Sequence, residues 1–147
     1  MPEAARSQGI LLGFDYGRRR TGVAVGQPLT GSATPLTTLT SSAGKPDWEA
    51  IEQLVREWHP NALVVGLPER THGGRHPLHK EIHAFCAELE RRFGLPVYTV
   101  NETLTSAEAE ADLTAARRAG RKRRIAREEI DTLSAALILE TWMADQP

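Results

Sequence analysis

The sequence predicts one α/β domain built on a mixed five-stranded sheet, three antiparallel strands followed by parallel ones, with helices on its faces. Three observations lead there. The first 40 or so residues pattern as short strands joined by brief connections; helical and strand segments then alternate; two further helical stripes close the chain. Strands joined by a few residues run antiparallel, whereas a strand–helix–strand unit makes its strands parallel neighbours.

Ile10 to Asp15 is an apolar run of strand length, and Thr21 to Gly26 is a second, with Val23 and Val25 on one face. The tight Tyr16-Gly17-Arg18 connection makes them a hairpin. Ala33 to Thr40 is rich in Thr, with Leu36 and Leu39, and predicts a third, more exposed antiparallel strand. Asp47 to Trp58 carries Trp48, Ile51, Leu54, Val55 and Trp58 at helical spacing, and His59-Pro60 stops it. Ala62 to Leu67 is a continuous apolar run, the pattern of a strand covered on both faces, and leads into a loop from Pro68 to Pro77.

Leu78 to Phe93 places Ile82, Phe85, Cys86 and Leu89 on one helical stripe, with Gly94 as its C-terminal cap. Val97 to Val100 then reads as another buried strand. Thr105 and Glu108 form a capping box for a helix over about Ser106 to Arg118, and Gly120 opens a basic loop. From about Arg127 to Ala144, Ile130, Leu133, Ala136, Leu137 and Leu139 recur at helical spacing.

The 147 residues suffice for one hydrophobic core, so residues 1–147 are expected to form a single domain with a flexible N-terminus over 1–9. No stretch approaches the roughly 20 apolar residues that span a bilayer, and Met1 to Gly9 lacks the apolar core of a secretory signal. Cys86 stands alone, which excludes an intrachain disulfide, so a cytoplasmic protein with no membrane partner is expected. Charge is segregated. Arg117 to Arg127 holds seven Lys or Arg and no acid, so with a net charge of −1 the remaining chain carries −8. Such a cluster attracts a polyanion locally even when the whole chain is near neutral.

Three acids stand out by position. Asp15 ends an apolar strand beside Gly17, which lets the backbone turn sharply; an Asx-type turn is the plain alternative. Glu102 follows the Val97 to Val100 strand, where the carboxyl ends of parallel strands gather and ligands bind, although an acid ahead of a helix also has a simple dipole explanation. Asp131 lies among small and apolar residues, with Ser134 and Ala135 permitting close approach of helix to sheet; a first-turn acid is its alternative. Carboxylates gathered together repel and resist desolvation, so they need a counter-charge. Oxygen-only ligands suit Mg²⁺ or Mn²⁺, and one or two such ions beside a phosphodiester would support its hydrolysis.

His72, His76, His79 and His83 invite a zinc reading, since His79 and His83 are spaced i, i+4 on a helix, but no convincing third ligand accompanies them and a surface helix with its preceding loop explains them more simply. Cys86 lies on the apolar stripe without an activating base, and Trp48 and Trp58 read as helix anchors.

Taken together, Gly13-Phe14-Asp15-Tyr16-Gly17, Arg19, Thr21-Gly22-Val23-Ala24-Val25, Val64-Val65-Gly66-Leu67-Pro68 with Gly73, Asn101-Glu102-Thr103-Leu104-Thr105-Ser106, and Ile130-Asp131 with Ala135-Ala136 closely resemble the motifs of the YqgF, or RuvX, family of ribonuclease H-like proteins. The resemblance runs from Leu11 to Ala144. It implies a ribonuclease H-like fold and a metal-dependent nuclease in which Asp15, Glu102 and Asp131 are the catalytic, metal-binding carboxylates, with Asn101 auxiliary. Its implied substrates are precursor 16S rRNA, processed at the 5′ end, or Holliday junction DNA. Two residues depart from the family pattern: Asn101 replaces an Asp, bringing no charge, and Thr103 replaces an Arg, losing a bidentate phosphate contact.

In the nuclease reading, Arg117, Arg118, Arg121, Lys122, Arg123 and Arg124 form a phosphate-tracking arm with Arg19, and Arg18 and Arg20 help; a solvated loop is the alternative. The chain is expected to act as a monomer or homodimer. Two other readings compete. One is a nucleic-acid-binding factor that cleaves little, which the Asn101 and Thr103 departures favour. The other is an actin-like ATP-binding domain, suggested by Asp15-Tyr16-Gly17 to Gly22, but 147 residues supply about one of the two lobes such proteins need.

Overall fold

The computed structural model describes residues 9–68, 78–101 and 127–146, with the side chains of residues 127 and 128 excepted. Its five-stranded sheet has the order β3-β2-β1-β4-β5. The strands are β1 (Leu11–Asp15), β2 (Arg20–Gln27), β3 (Ser32–Thr40), β4 (Ala62–Leu67) and β5 (Val97–Asn101). Helix α1 (Trp48–Trp58) precedes β4, α2 (His79–Phe93) joins β4 to β5, and α3 (Arg127–Ala144) follows. β1 and β2 pair antiparallel, as do β2 and β3, while β1–β4 and β4–β5 are parallel. The mixed sheet is therefore the one the sequence predicts. The expected helix over 106–118 and most of the basic run lie outside the described residues.

Alternation along the strands divides the core into two layers. Leu12, Phe14, Val23, Val25, Leu63 and Val65 pack with Ile51 of α1 and with Ile82, Phe85 and Leu89 of α2. Leu11, Ala24, Ala62 and Val64 face the other way, onto Ala135, Ala136, Ile138 and Leu139 of α3. Each fully buried Leu, Ile or Phe contributes about 1.5–3 kcal/mol relative to exposure, so these two layers hold both faces of the sheet. The second layer is thin because its sheet residues are small. A Cβ at Gly13 would stand 2.5 Å from Leu139 Cγ, so the bare backbone there is what lets α3 lie close.

The helix ends are set locally. Asp47 accepts a hydrogen bond from the Ala50 N–H at 3.1 Å and caps α1. At the other end His59 adopts a left-handed conformation (φ 47°) and donates its N–H to Val55 O at 2.9 Å, with Pro60 next. Gly94 (φ 64°) closes α2 in the same way, donating to Glu90 O.

Two expectations are corrected. The strand over Val97 to Val100 is not buried: Tyr98, Thr99 and Asn101 are exposed, and among the described residues β5 stands at the edge of the sheet with β4 as its one strand neighbour. His79 is not on the surface either. It is 7% exposed and its Nε2 hydrogen-bonds the carbonyl of Pro68, tying the first turn of α2 to the end of β4.

Candidate active site

Parallel packing of β1, β4 and β5 brings their carboxyl ends, Asp15, Leu67 and Asn101, to one edge of the sheet. Side-chain alternation then separates them. Asp15 shares the parity of Leu11 and Gly13 and so faces α3, whereas Asn101 pairs with Leu67 on the face covered by α1 and α2. The auxiliary residue predicted from sequence is thus at the right edge but on the opposite face from Asp15. Glu102, next in the chain, lies outside the described residues.

Asp131 reaches the Asp15 face by a close approach. Gly22 pairs with Asp15 across the β1–β2 ladder, and a Cβ built on Gly22 would collide with the backbone C and O of Asp131. Only a glycine lets the first turns of α3 lie flat against the strand beside Asp15. Asp15 and Asp131 therefore sit on one face at one edge, Asp131 over the glycine that pairs with Asp15, and both are partly exposed. Ser134 and Ala135, 3% and 0% exposed, are buried in the contact as their small size predicts.

Asp131 does not stand alone. Arg20, the first residue of β2, donates from Nε to Asp131 Oδ2 at 2.8 Å, and the two side chains are 27% and 21% exposed. On the other face, Glu81 of α2 accepts from Arg18 Nε at 2.7 Å and from the Tyr16 hydroxyl at 3.3 Å. The hydrogen bond from Arg18 is the main reason the Glu81 carboxyl is held below its usual range. Burial, and then the Glu81 charge, push the Tyr16 phenol up. Both residues flanking Gly17 are thereby tied to α2, which fixes the turn that follows Asp15. Sequence reasoning assigned Arg20 only a helper's part and overlooked Glu81 altogether. Their partners stand 111 and 63 residues away in the chain, and no local pattern reports such pairings.

Arg19 is exposed on the β1–β2 connection, its carbonyl accepting from the Ser41 N–H at 2.8 Å. Arg117, Arg118, Arg121, Lys122, Arg123 and Arg124 lie outside the described residues. His79 and His83 meet edge to face with centroids 6.2 Å apart, and a metal at His79 Nε2 would have to displace the Pro68 carbonyl. Cys86 is buried, and burial followed by the Glu90 charge pushes its thiol up to about 11.

Among the described residues no three His, Cys, Asp or Glu side chains converge; of the three carboxylates expected from sequence to bind metal, Asp15 and Asp131 are described and Glu102 is not. The donors present suit a hard divalent cation, being oxygen atoms with partial exposure for retained waters and phosphate, while Arg20 holds one oxygen of Asp131.

The family model described as "RuvX: Holliday junction resolvase" matches residues 9–145. The chain belongs to the RuvX family. A relative from Azotobacter vinelandii, named "Putative pre-16S rRNA nuclease", is 48% identical over 139 residues, covering 94% of this chain and 95% of its own. One of the same name from Xylella fastidiosa is 43% identical over 147 residues, covering 99% and 95%. Among solved structures, Thermus thermophilus RuvC in complex with a Holliday junction substrate superposes with a TM-score of 0.55 at 18% identity, over 94% of this chain and 98% of that one. The fowlpox virus Holliday junction resolvase does so at 0.53 and 12% identity, over 93% and 99%. At those identities the likeness speaks for the fold alone. This RuvX-family chain thus has the ribonuclease H-like architecture that the sequence resemblance implied.

Proposed function

We propose that this chain is a metal-dependent nuclease that hydrolyses phosphodiester bonds in structured nucleic acid, with the 5′ end of precursor 16S rRNA as its principal substrate. The observation that carries this reading is the close approach of α3 at Gly22, which puts Asp131 on the same face and edge as Asp15. Family membership supports it, and so do relatives named for that substrate.

Asp15 and Asp131 would hold Mg²⁺ or Mn²⁺, with Glu102 as the third carboxylate from the sequence. Bound there, the cation supplies an acidified water and charge neutralisation at the phosphate. The chain's own contribution is positional. β1 packs in both core layers and α3 in the second, so two carboxylates are held in place without depending on a loop. Arg19 sits exposed on the connection after Asp15, where its guanidinium can meet backbone phosphates, whereas Arg18 is held by Glu81 on the opposite face.

The test is cleavage of end-labelled precursor 16S rRNA and of a four-way DNA junction, with Mg²⁺ or Mn²⁺, by the unaltered chain and by Asp15→Asn and Asp131→Asn. Metal-dependent products lowered at least about a hundredfold in both variants are expected, the scale of losing an essential metal ligand. Products that persist in either variant would overturn the assignment of that residue. Cleavage of the junction alone would favour the resolvase reading, which the family description supports and which requires a dimer for symmetric incision. Salt-sensitive binding without products would favour a binding factor, as the Asn101 and Thr103 departures suggest.

A further inference from the structure

The proposed metal centre contains a cation of its own. Arg20 Nε stands 2.8 Å from Asp131 Oδ2 in an ion pair that is about three-quarters buried on both sides. The pair is built in by two rigid features: Arg20 is the first residue of β2, two residues before the glycine on which the Asp131 backbone rests. The guanidinium is thereby brought to the carboxylate by sheet and helix packing rather than by a loose side-chain excursion.

We infer that Arg20 is the built-in counter-ion of the metal-free site, neutralising Asp131 until a divalent cation takes that carboxylate and the guanidinium gives way. This rests on the proposed metal centre. The physical reason is that Asp131 lies over Gly22, the residue paired with Asp15, on the same face of the sheet, and carboxylates gathered with partial desolvation are unfavourable unless a positive charge accompanies them. A site that must exist before its metal arrives needs such a charge, and Arg20 is placed to supply it. The cation and Arg20 then compete for the same oxygen. Arg20 stabilises the metal-free chain and weakens the metal's apparent affinity, so it is a positioning residue rather than a catalytic one.

The experiment is calorimetric titration with Mg²⁺ and Mn²⁺ of the unaltered chain, Arg20→Gln and Arg20→Lys, with thermal melts of each in metal and in chelator. Arg20→Gln should bind the ion about three- to tenfold more tightly, the size expected when a partly exposed competing ion pair is removed. It should also melt lower than the unaltered chain in chelator and gain more from metal, since ligand stabilisation follows affinity. A measurement on the unaltered chain removes dependence on the Gln variant folding: its Arg20 Nε–H resonance, assigned as the one missing in Arg20→Lys, should shift and begin exchanging with water as Mg²⁺ is added. Weaker binding by Arg20→Gln, or an Nε–H unchanged at metal saturation, would overturn the inference and make Arg20 a fixed orienter of Asp131. If the unaltered chain bound neither ion, the proposed metal centre itself would fail, and this inference with it.

Discussion

A methyl group at position 22 would land on the backbone of Asp131, so the side chain that is missing there is what the site depends on. Neither Gly22 nor Gly26 has positive φ, so alanine suits both backbones and only the surrounding space distinguishes them. At Gly26 a Cβ would meet the ends of Leu139 and Met143 at 3.3 and 3.4 Å, flexible groups that can shift. At Gly22 the obstacle is helix backbone, which moves only by lifting α3 off the sheet. Gly22→Ala should therefore lose at least about 2 kcal/mol of stability in urea denaturation, while Gly26→Ala stays within about 0.5 kcal/mol. Equal effects at the two positions would mean that α3 is not seated as described. The same comparison bears on the site, because a lifted α3 carries Asp131 away from Asp15.

Helix α2 shows an element doing two jobs along its length. Its first turn holds His79 on Pro68 and Glu81 on Arg18 and Tyr16, while its middle packs Phe85 against Phe14, Tyr16 and Trp48. Cys86 belongs to the packed part, and with its thiol pushed up to about 11 it should be nearly inert. At pH 8 its labelling by a disulfide reagent should run at least about a hundredfold slower in the native chain than in urea, from its smaller thiolate fraction alone. The linkage has a definite sign. The raised pKa contributes stability that is complete below the unfolded thiol's range, near 9, and is lost as pH rises through about 11, so Cys86→Ala should flatten that alkaline limb. The apolar stripe of α2, its glycine cap and both neighbouring strands were legible in the sequence, because periodicity and capping are local. The exposure of β5 was not, since an apolar tetrapeptide reads alike at the centre and the edge of a sheet. Nor was the link between Arg20 and Asp131, which exists only once β2 and α3 have packed.

At the scale of the molecule the charge is divided by sign. Seven basic residues between Arg117 and Arg127 oppose a net −8 elsewhere, and a nuclease has to hold a polyanion next to carboxylates. Repulsion at Asp15 and Asp131 must then be outweighed by attraction from another part of the chain, and counterion release from phosphates is the largest source available. Changing Arg121, Lys122, Arg123 and Arg124 together to Ser should weaken nucleic-acid binding and lower the slope of log K against log salt by roughly 3, as expected for four lost phosphate contacts. Asp15→Asn should leave that slope almost untouched while removing cleavage, because it acts on the reaction and not on the atmosphere of ions. Fluorescence anisotropy of a labelled rRNA fragment across a salt series measures both. A slope unchanged in the four-residue variant would make the basic run a solvated loop and shift the burden of binding to Arg19 beside the site.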